Sequence, residues 1–161
     1  MSLAIISAMD VEMEQYLEHC TLRASTERAG LTIHEAHWRG HDLALVRSGV
    51  GKVNAALCTQ LLIDRYDLDA VLCTGSAGAL DPALDIGDVV IASDCVHHDV
   101  LVDFMGLPRG QIPFTDHRFF ETHPVLRRHA LEVGLTDHRV QAGRVLTGDT
   151  FVEDESQRRR L

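Results

Sequence analysis

Lysine is almost missing from this 161-residue chain: Lys52 stands alone beside fourteen arginines, and 24 acids outnumber 15 bases to leave a net charge of −9. Phosphate backbones are gripped by Lys/Arg clusters, and the one basic run here is Arg158-Arg159-Arg160. Nucleic acid is therefore disfavoured as a principal partner. Aromatic residues make up only 5%, so the core has to be built from Leu, Val, Ile and Ala. No apolar run approaches the ~20 residues a membrane-crossing helix needs. The start, Met1-Ser2-Leu3-Ala4-Ile5-Ile6-Ser7, has no basic region in front of its short apolar run, so no secretory leader is expected. Cysteines are few (Cys20, Cys58, Cys73, Cys95), with no C-x-x-C pair and apolar sequence neighbours. That pattern predicts reduced core thiols in a cytoplasmic protein rather than disulfides or zinc. With 45% hydrophobic residues, the composition suits a single globular domain spanning 1–161.

The apolar run 3–7 reads as a strand buried on both faces, and Val11-Glu12-Met13-Glu14-Gln15-Tyr16-Leu17 as a helix with acids in its first turn. Residues 31–38 and 42–47 flank Arg39-Gly40-His41 and predict a β-hairpin. Ser48-Gly49-Val50-Gly51-Lys52 is a glycine-rich turn opening a helix over 53–63. Buried strands are expected at 70–73, 88–93 and 140–146, and a helix with proline in its first turn over 124–133. Residues 103–117, with Gly106, Pro108, Gly110 and Pro113, read as a long functional loop. The alternation predicts an α/β fold with a mixed, mainly parallel central sheet flanked by helices. In such sheets ligands gather beyond the carboxyl ends of the strands. Loops 7–12, 74–80 and 147–152 meet that description.

Taken singly, the loops say little. Glu12 could take a proton from water or hold a sugar hydroxyl, yet a lone first-turn Glu is usually just solvated. Gly75-Ser76-Ala77-Gly78 lets backbone approach a ligand, or simply makes a tight turn. It matches no phosphate loop, dinucleotide fingerprint or nucleophile elbow. Phe151 offers a face for a planar base, or packs in the core, with Val152 behind it. His97 and His98 are adjacent on a strand and point to opposite faces, so no metal is predicted.

Their order and spacing are more specific. Ile5-Ile6-Ser7-Ala8-Met9-x-x-Glu12 is followed by Ser48-Gly49-Val50-Gly51-Lys52-Val53-Asn54-Ala55-Ala56 and Thr74-Gly75-Ser76-Ala77-Gly78. Gly87-Asp88-Val89-Val90, His98-Asp99, Gly110-Gln111-Ile112-Pro113 and Gly148-Asp149-Thr150-Phe151-Val152 come next. This series closely resembles the 5′-methylthioadenosine/S-adenosylhomocysteine nucleosidases of the nucleoside phosphorylase superfamily, over essentially the whole chain.

The resemblance implies hydrolysis of the N-glycosidic bond of a 5′-thio-substituted adenosine, giving adenine and the thioribose, with no metal or organic cofactor. It assigns Glu12 to the attacking water and Ser76 to a place beside that water and the ribose. Met9, Val50 and Gly78 line the nucleoside pocket, Phe151 stacks on adenine, and the Val152 backbone reads its Watson–Crick edge. Met105 and Pro113 reach into the partner's pocket across a homodimer. Phosphorylases of the superfamily carry an arginine where this chain has Cys73, which favours water over phosphate as nucleophile.

The sequence departs from the family pattern at Leu101 and at Phe104-Met105-Gly106, in the region of the lid and 5′-group pocket. Family members also continue past the position of Leu161. That further part normally brings a Met-Glu pair for the ribose hydroxyls and the Asp that protonates the base, and no residue among 1–161 matches either. The chain is thus expected to be an incomplete nucleosidase domain, slowed by about 10²–10⁴-fold without that acid. A related purine nucleoside hydrolase or phosphorylase, such as a futalosine-type enzyme, and a non-catalytic nucleoside-binding fragment are the alternatives.

Overall fold

The computed structural model describes residues 2–161, whose backbone divides into two compact units, up to Ala77 and from Gly78 onward.

The first unit runs β1 (Ser2–Ser7), α1 (Asp10–His19), β2 (Thr21–Arg28), β3 (Leu31–Trp38), β4 (His41–Arg47), α2 (Lys52–Arg65) and β5 (Ala70–Cys73). Its sheet has the order β2-β3-β4-β1-β5, with β4, β1 and β5 parallel and β2 and β3 antiparallel to their neighbours. The hairpins β2-β3 and β3-β4 turn through two residues each. Arg39 and Gly40 take φ values of 47° and 85°, the left-handed pair that matches the twist of two-residue hairpins.

Side chains of β1 alternate between two cores. Ala4 and Ile6 join Ala44, Val46, Ile33 and, from α2, Cys58 and Leu62. Ile5 joins Leu43, Leu45, Ala36 and, from α1, Met13. The two helices therefore cover opposite faces, which is why β1 and β4 read as unbroken apolar runs. Leu62 is fully buried while Val53, on the outer face of α2, is 78% exposed. Leu62→Ala is expected to cost about 2–5 kcal/mol of folding free energy, and Val53→Ala about 0.5 kcal/mol or less, measured by urea unfolding.

The two expected helices, the hairpin and the strands of this unit are all present, and β2 is an addition. Its only large apolar side chain, Leu22, is half exposed at 46%, so this edge strand carries no alternation to read. The thiols also differ from expectation: Cys58 is buried, Cys20 is half-buried, and Cys73 is exposed at the end of β5. Burial, and after it the neighbouring Cys73, push the Cys58 thiol up to about 11, which keeps it protonated and inert.

The second unit contains β6 (Val89–His97), a 3₁₀ turn (Asp103–Met105), β7 (Phe120–Glu121), α3 (Pro124–Leu131), β8 (Val140–Thr147) and α4 (Glu155–Arg158). Its sheet has the order β7-β6-β8, with β6 and β8 parallel. Polar clasps do much of the holding here. Asp88, before β6, accepts from the Arg139 backbone N–H at 2.9 Å and from its Nε at 3.0 Å, before β8. In mid-sheet, Asp94 pairs with Arg144, whose guanidinium lies 3.9 Å over the Phe119 ring. A bulge between Ala92 and Asp94 frees the Ser93 carbonyl, which accepts from Arg127 of α3 at 2.8 Å.

Candidate active site

Three parallel strands end level with one another in the first unit. The Ser48 N–H donates to the Ser7 carbonyl, and the Thr74 N–H to that of Ile6, each at 2.9 Å. The buried Ser7 hydroxyl lies 3.2 Å from that of Thr74. The segments leaving these ends are 8–12, 48–52 and 74–77, so the carboxyl edge of β4-β1-β5 carries two of the three expected loops, 7–12 and the start of 74–80, beside the glycine-rich turn at 48–52; the third, 147–152, belongs to the second unit.

Met9 is extended, with φ −125° and ψ 155°, and α1 begins after it. This places Glu12 on the third helical position, where its side chain curls back over the helix start. Glu12 Oε2 accepts the N–H groups of Ala8 and Met9, each at 3.0 Å. Oε1 accepts from Ser76, the backbone N–H at 2.8 Å and the hydroxyl at 2.9 Å. Four donors thus converge on one carboxylate from two loops 64 positions apart. Burial acts to raise its pKa, but the bonds from Ser76, Met9 and Ala8 outweigh it and hold the carboxyl below the usual glutamate value.

Gly75 makes this approach possible. A Cβ there would lie 2.8 Å from Oε1, 3.0 Å from Cδ and 3.1 Å from Oε2 of Glu12. Its φ is not in the left-handed range, so the demand is for space and not for an unusual backbone.

Met9, Glu12 and Ser76 are therefore brought together by direct bonds. Val50 stands on the neighbouring turn, 73% exposed, where its carbonyl accepts from the Asn54 side chain at 2.7 Å. The remaining expected residues belong to the second unit. A Cβ on Gly78 would meet nothing within 4 Å. Phe151 is 81% exposed, which sets aside its reading as a core residue, and Val152 beside it is half-buried. Met105 closes the 3₁₀ turn and Pro113 lies half-buried in the loop beyond it. The rings of His97 and His98 keep separate company: His97 meets Phe120 edge-on at 5.8 Å, and His98 lies under Gly148.

The profile of the phosphorylase superfamily matches residues 2–161. A 5′-methylthioadenosine/S-adenosylhomocysteine nucleosidase of Anoxybacillus flavithermus is 35% identical over 98% of this chain and 68% of its own length. The chain belongs to this nucleosidase family. The nucleosidase of Chromohalobacter salexigens is 41% identical over 96% of this chain and 66% of its own length. The crystal structure of the nucleosidase from Colwellia psychrerythraea, in complex with adenine, superposes with a TM-score of 0.90 at 37% identity, covering 99% of this chain and 67% of that one. The chain thus spans about two thirds of the length of the curated nucleosidases it matches.

Against this family background, the residue that sequence reasoning missed is Gly75. It reads as a turn glycine because nothing in the order Thr74-Gly75-Ser76 announces a carboxylate arriving from residue 12. The N–H groups of Ala8, Met9 and Ser76 were equally silent, since backbone donors leave no mark in side-chain chemistry. The one usable signal was Glu three residues after an extended Met9, the spacing of a capping box.

Proposed function

We propose that this nucleosidase-family chain hydrolyses the N-glycosidic bond of 5′-methylthioadenosine and S-adenosylhomocysteine, releasing adenine, as a cytoplasmic homodimer. The observation that carries this reading is the Glu12 carboxylate, fixed by four hydrogen bonds beside Ser76 at the carboxyl end of β1. Cleavage of a glycosidic bond passes through an oxocarbenium-like state. As the sugar becomes cationic, water closing on C1′ grows acidic, so a carboxylate of low basicity suffices to take its proton. A lowered pKa is then an asset, because the base stays ionised to lower pH than an ordinary glutamate would. Cys73, at the end of β5, brings no positive charge to Ser76, which supports water over phosphate as the nucleophile. Phe151 supplies an exposed ring for stacking on adenine, and Val152 follows it with backbone groups for the base edge. Met9, Val50 and Gly78 line the nucleoside site, while Met105 and Pro113 close the partner's 5′-group pocket.

The test is binding of 5′-methylthioadenosine by calorimetry and adenine release on the same sample. Saturable binding with release supports hydrolysis. Binding without release supports a nucleoside-binding role, and absence of both overturns the reading. The pH profile adds a check with a definite sign. Protonation of Glu12 removes the base, so kcat/KM falls as pH drops through a pKa lying below the usual glutamate value. Ser76→Ala deletes one donor to the carboxylate and is expected to move that acid limb upward. The same depression stabilises the fold above the unfolded-state pKa, and this contribution is lost as pH falls through the folded-state pKa.

A further inference from the structure

We propose that His98 and Asp99, at the end of β6, are positioning residues that hold the 147–152 loop and so set the place of Phe151 and Val152; the consequence for adenine rests on the function proposed above. The adjacent histidines first suggest a metal, but the structure gives each residue of this stretch a different task. The His98 N–H donates to the Thr147 carbonyl at 2.9 Å, carrying the β6-β8 pairing one step past its register. The His98 ring then fills the space beneath Gly148, where a Cβ would collide with the imidazole. One residue on, Asp99 Oδ2 accepts the Asp149 N–H at 2.9 Å.

The anchor is itself held from the other side. The Gly110 N–H donates to the Val100 carbonyl at 2.9 Å, and a Cβ on Gly110 would lie 2.7 Å from the His97 carbonyl oxygen and 2.6 Å from Val96. Only glycine allows that close backbone crossing, and at a φ of 84°. Beyond Phe151 and Val152 the chain is caught again: the Glu153 N–H donates to Gln157 at 3.1 Å, and Asp154 caps α4 by accepting the Gln157 N–H at 2.7 Å. Phe151 and Val152 thus hang between two fixed points, Asp149 tied to Asp99 and Glu153 tied to α4. An exposed ring gains affinity for a planar base only if it is already in place, because ordering it on binding costs free energy. Asp99 removes that cost at the near end of the span.

The experiment compares Asp99→Ala with Asp99→Asn, which keeps an acceptor oxygen of the same reach. Amide hydrogen exchange is read without ligand, and adenine affinity by calorimetry. Asp99→Ala is expected to speed exchange at the 148–152 amides while leaving β6 and β8 protected, and to weaken adenine binding about tenfold. Asp99→Asn is expected to restore most of both. Exchange unchanged in Asp99→Ala overturns the proposal, as does faster exchange spread through the whole unit. Faster exchange in the loop with undiminished adenine affinity overturns the positioning role. Failure of the unsubstituted protein to bind adenine or 5′-methylthioadenosine counts against the proposed function instead, and the exchange data still decide whether Asp99 holds the loop.

Discussion

Adenine release by the Glu12→Gln variant is expected to fall by about 10²–10⁴-fold, the usual worth of a positioned proton acceptor. The loss should appear in kcat with KM little changed, because the group acts on the water as the transition state forms. Glutamine has nearly the same shape but offers only one acceptor oxygen. Whichever way it turns, its NH₂ faces a backbone N–H: those of Ala8 and Met9 on one side, that of Ser76 on the other. The Ser76 side is the milder, since a hydroxyl can rotate to accept. The carboxamide therefore settles with its oxygen toward Ala8 and Met9, and the base is replaced by a donor. Release within a few-fold of the unsubstituted protein would remove Glu12 from the mechanism.

Gly75→Ala is expected to cost about 10²-fold while leaving every functional group in place. The added methyl would stand 2.8 Å from Glu12 Oε1, inside van der Waals contact, so the carboxylate or the 74–77 backbone has to yield. Moving the carboxylate strains bonds to two loops at once. Ordinary flexibility of a glutamate tip does not help when both oxygens are already engaged. Adenine-release kinetics with a thermal melt check this: activity should drop with a melting temperature close to the parent's. Full activity in Gly75→Ala would mean that the close approach has no bearing on turnover.

These two residues mark where reading the sequence succeeds and where it stops. Short apolar runs revealed β1, β4 and β5, the first two unbroken because helices cover both faces, and the glycine-rich turn at 48–52 announced α2. Strand β2 escaped because an edge strand with charged and hydroxyl side chains on both faces carries no such pattern. Glu12 was visible as a residue and not as a site. Taken alone it looks like any acid in a first helical turn, and only the order of the loops along the chain distinguished it. Gly75 was legible as a turn or ligand-approach glycine, but its packing against Glu12 was not, since that role depends on an atom contributed by residue 12. Phe151 was ambiguous between stacking and core, and its exposure sets aside the core reading alone.

The position of β1 in the first sheet has a consequence for how the protein comes to exist. Although it precedes both in the chain, β1 lies between β4 and β5, neither of which directly follows it. Its apolar residues must wait through some seventy positions of synthesis before both partners are present, a long-range pairing of the kind that slows folding and exposes the nascent chain to aggregation. Glu12 acquires its last two hydrogen-bond donors only when Ser76 arrives, which is later still. A ribosome-bound intermediate ending at β4 would already have its hairpins and α1, yet its carboxylate would be half-dressed. The full set of four bonds to the Glu12 carboxylate is thus gained at the end of the first unit's folding and not built up along the way.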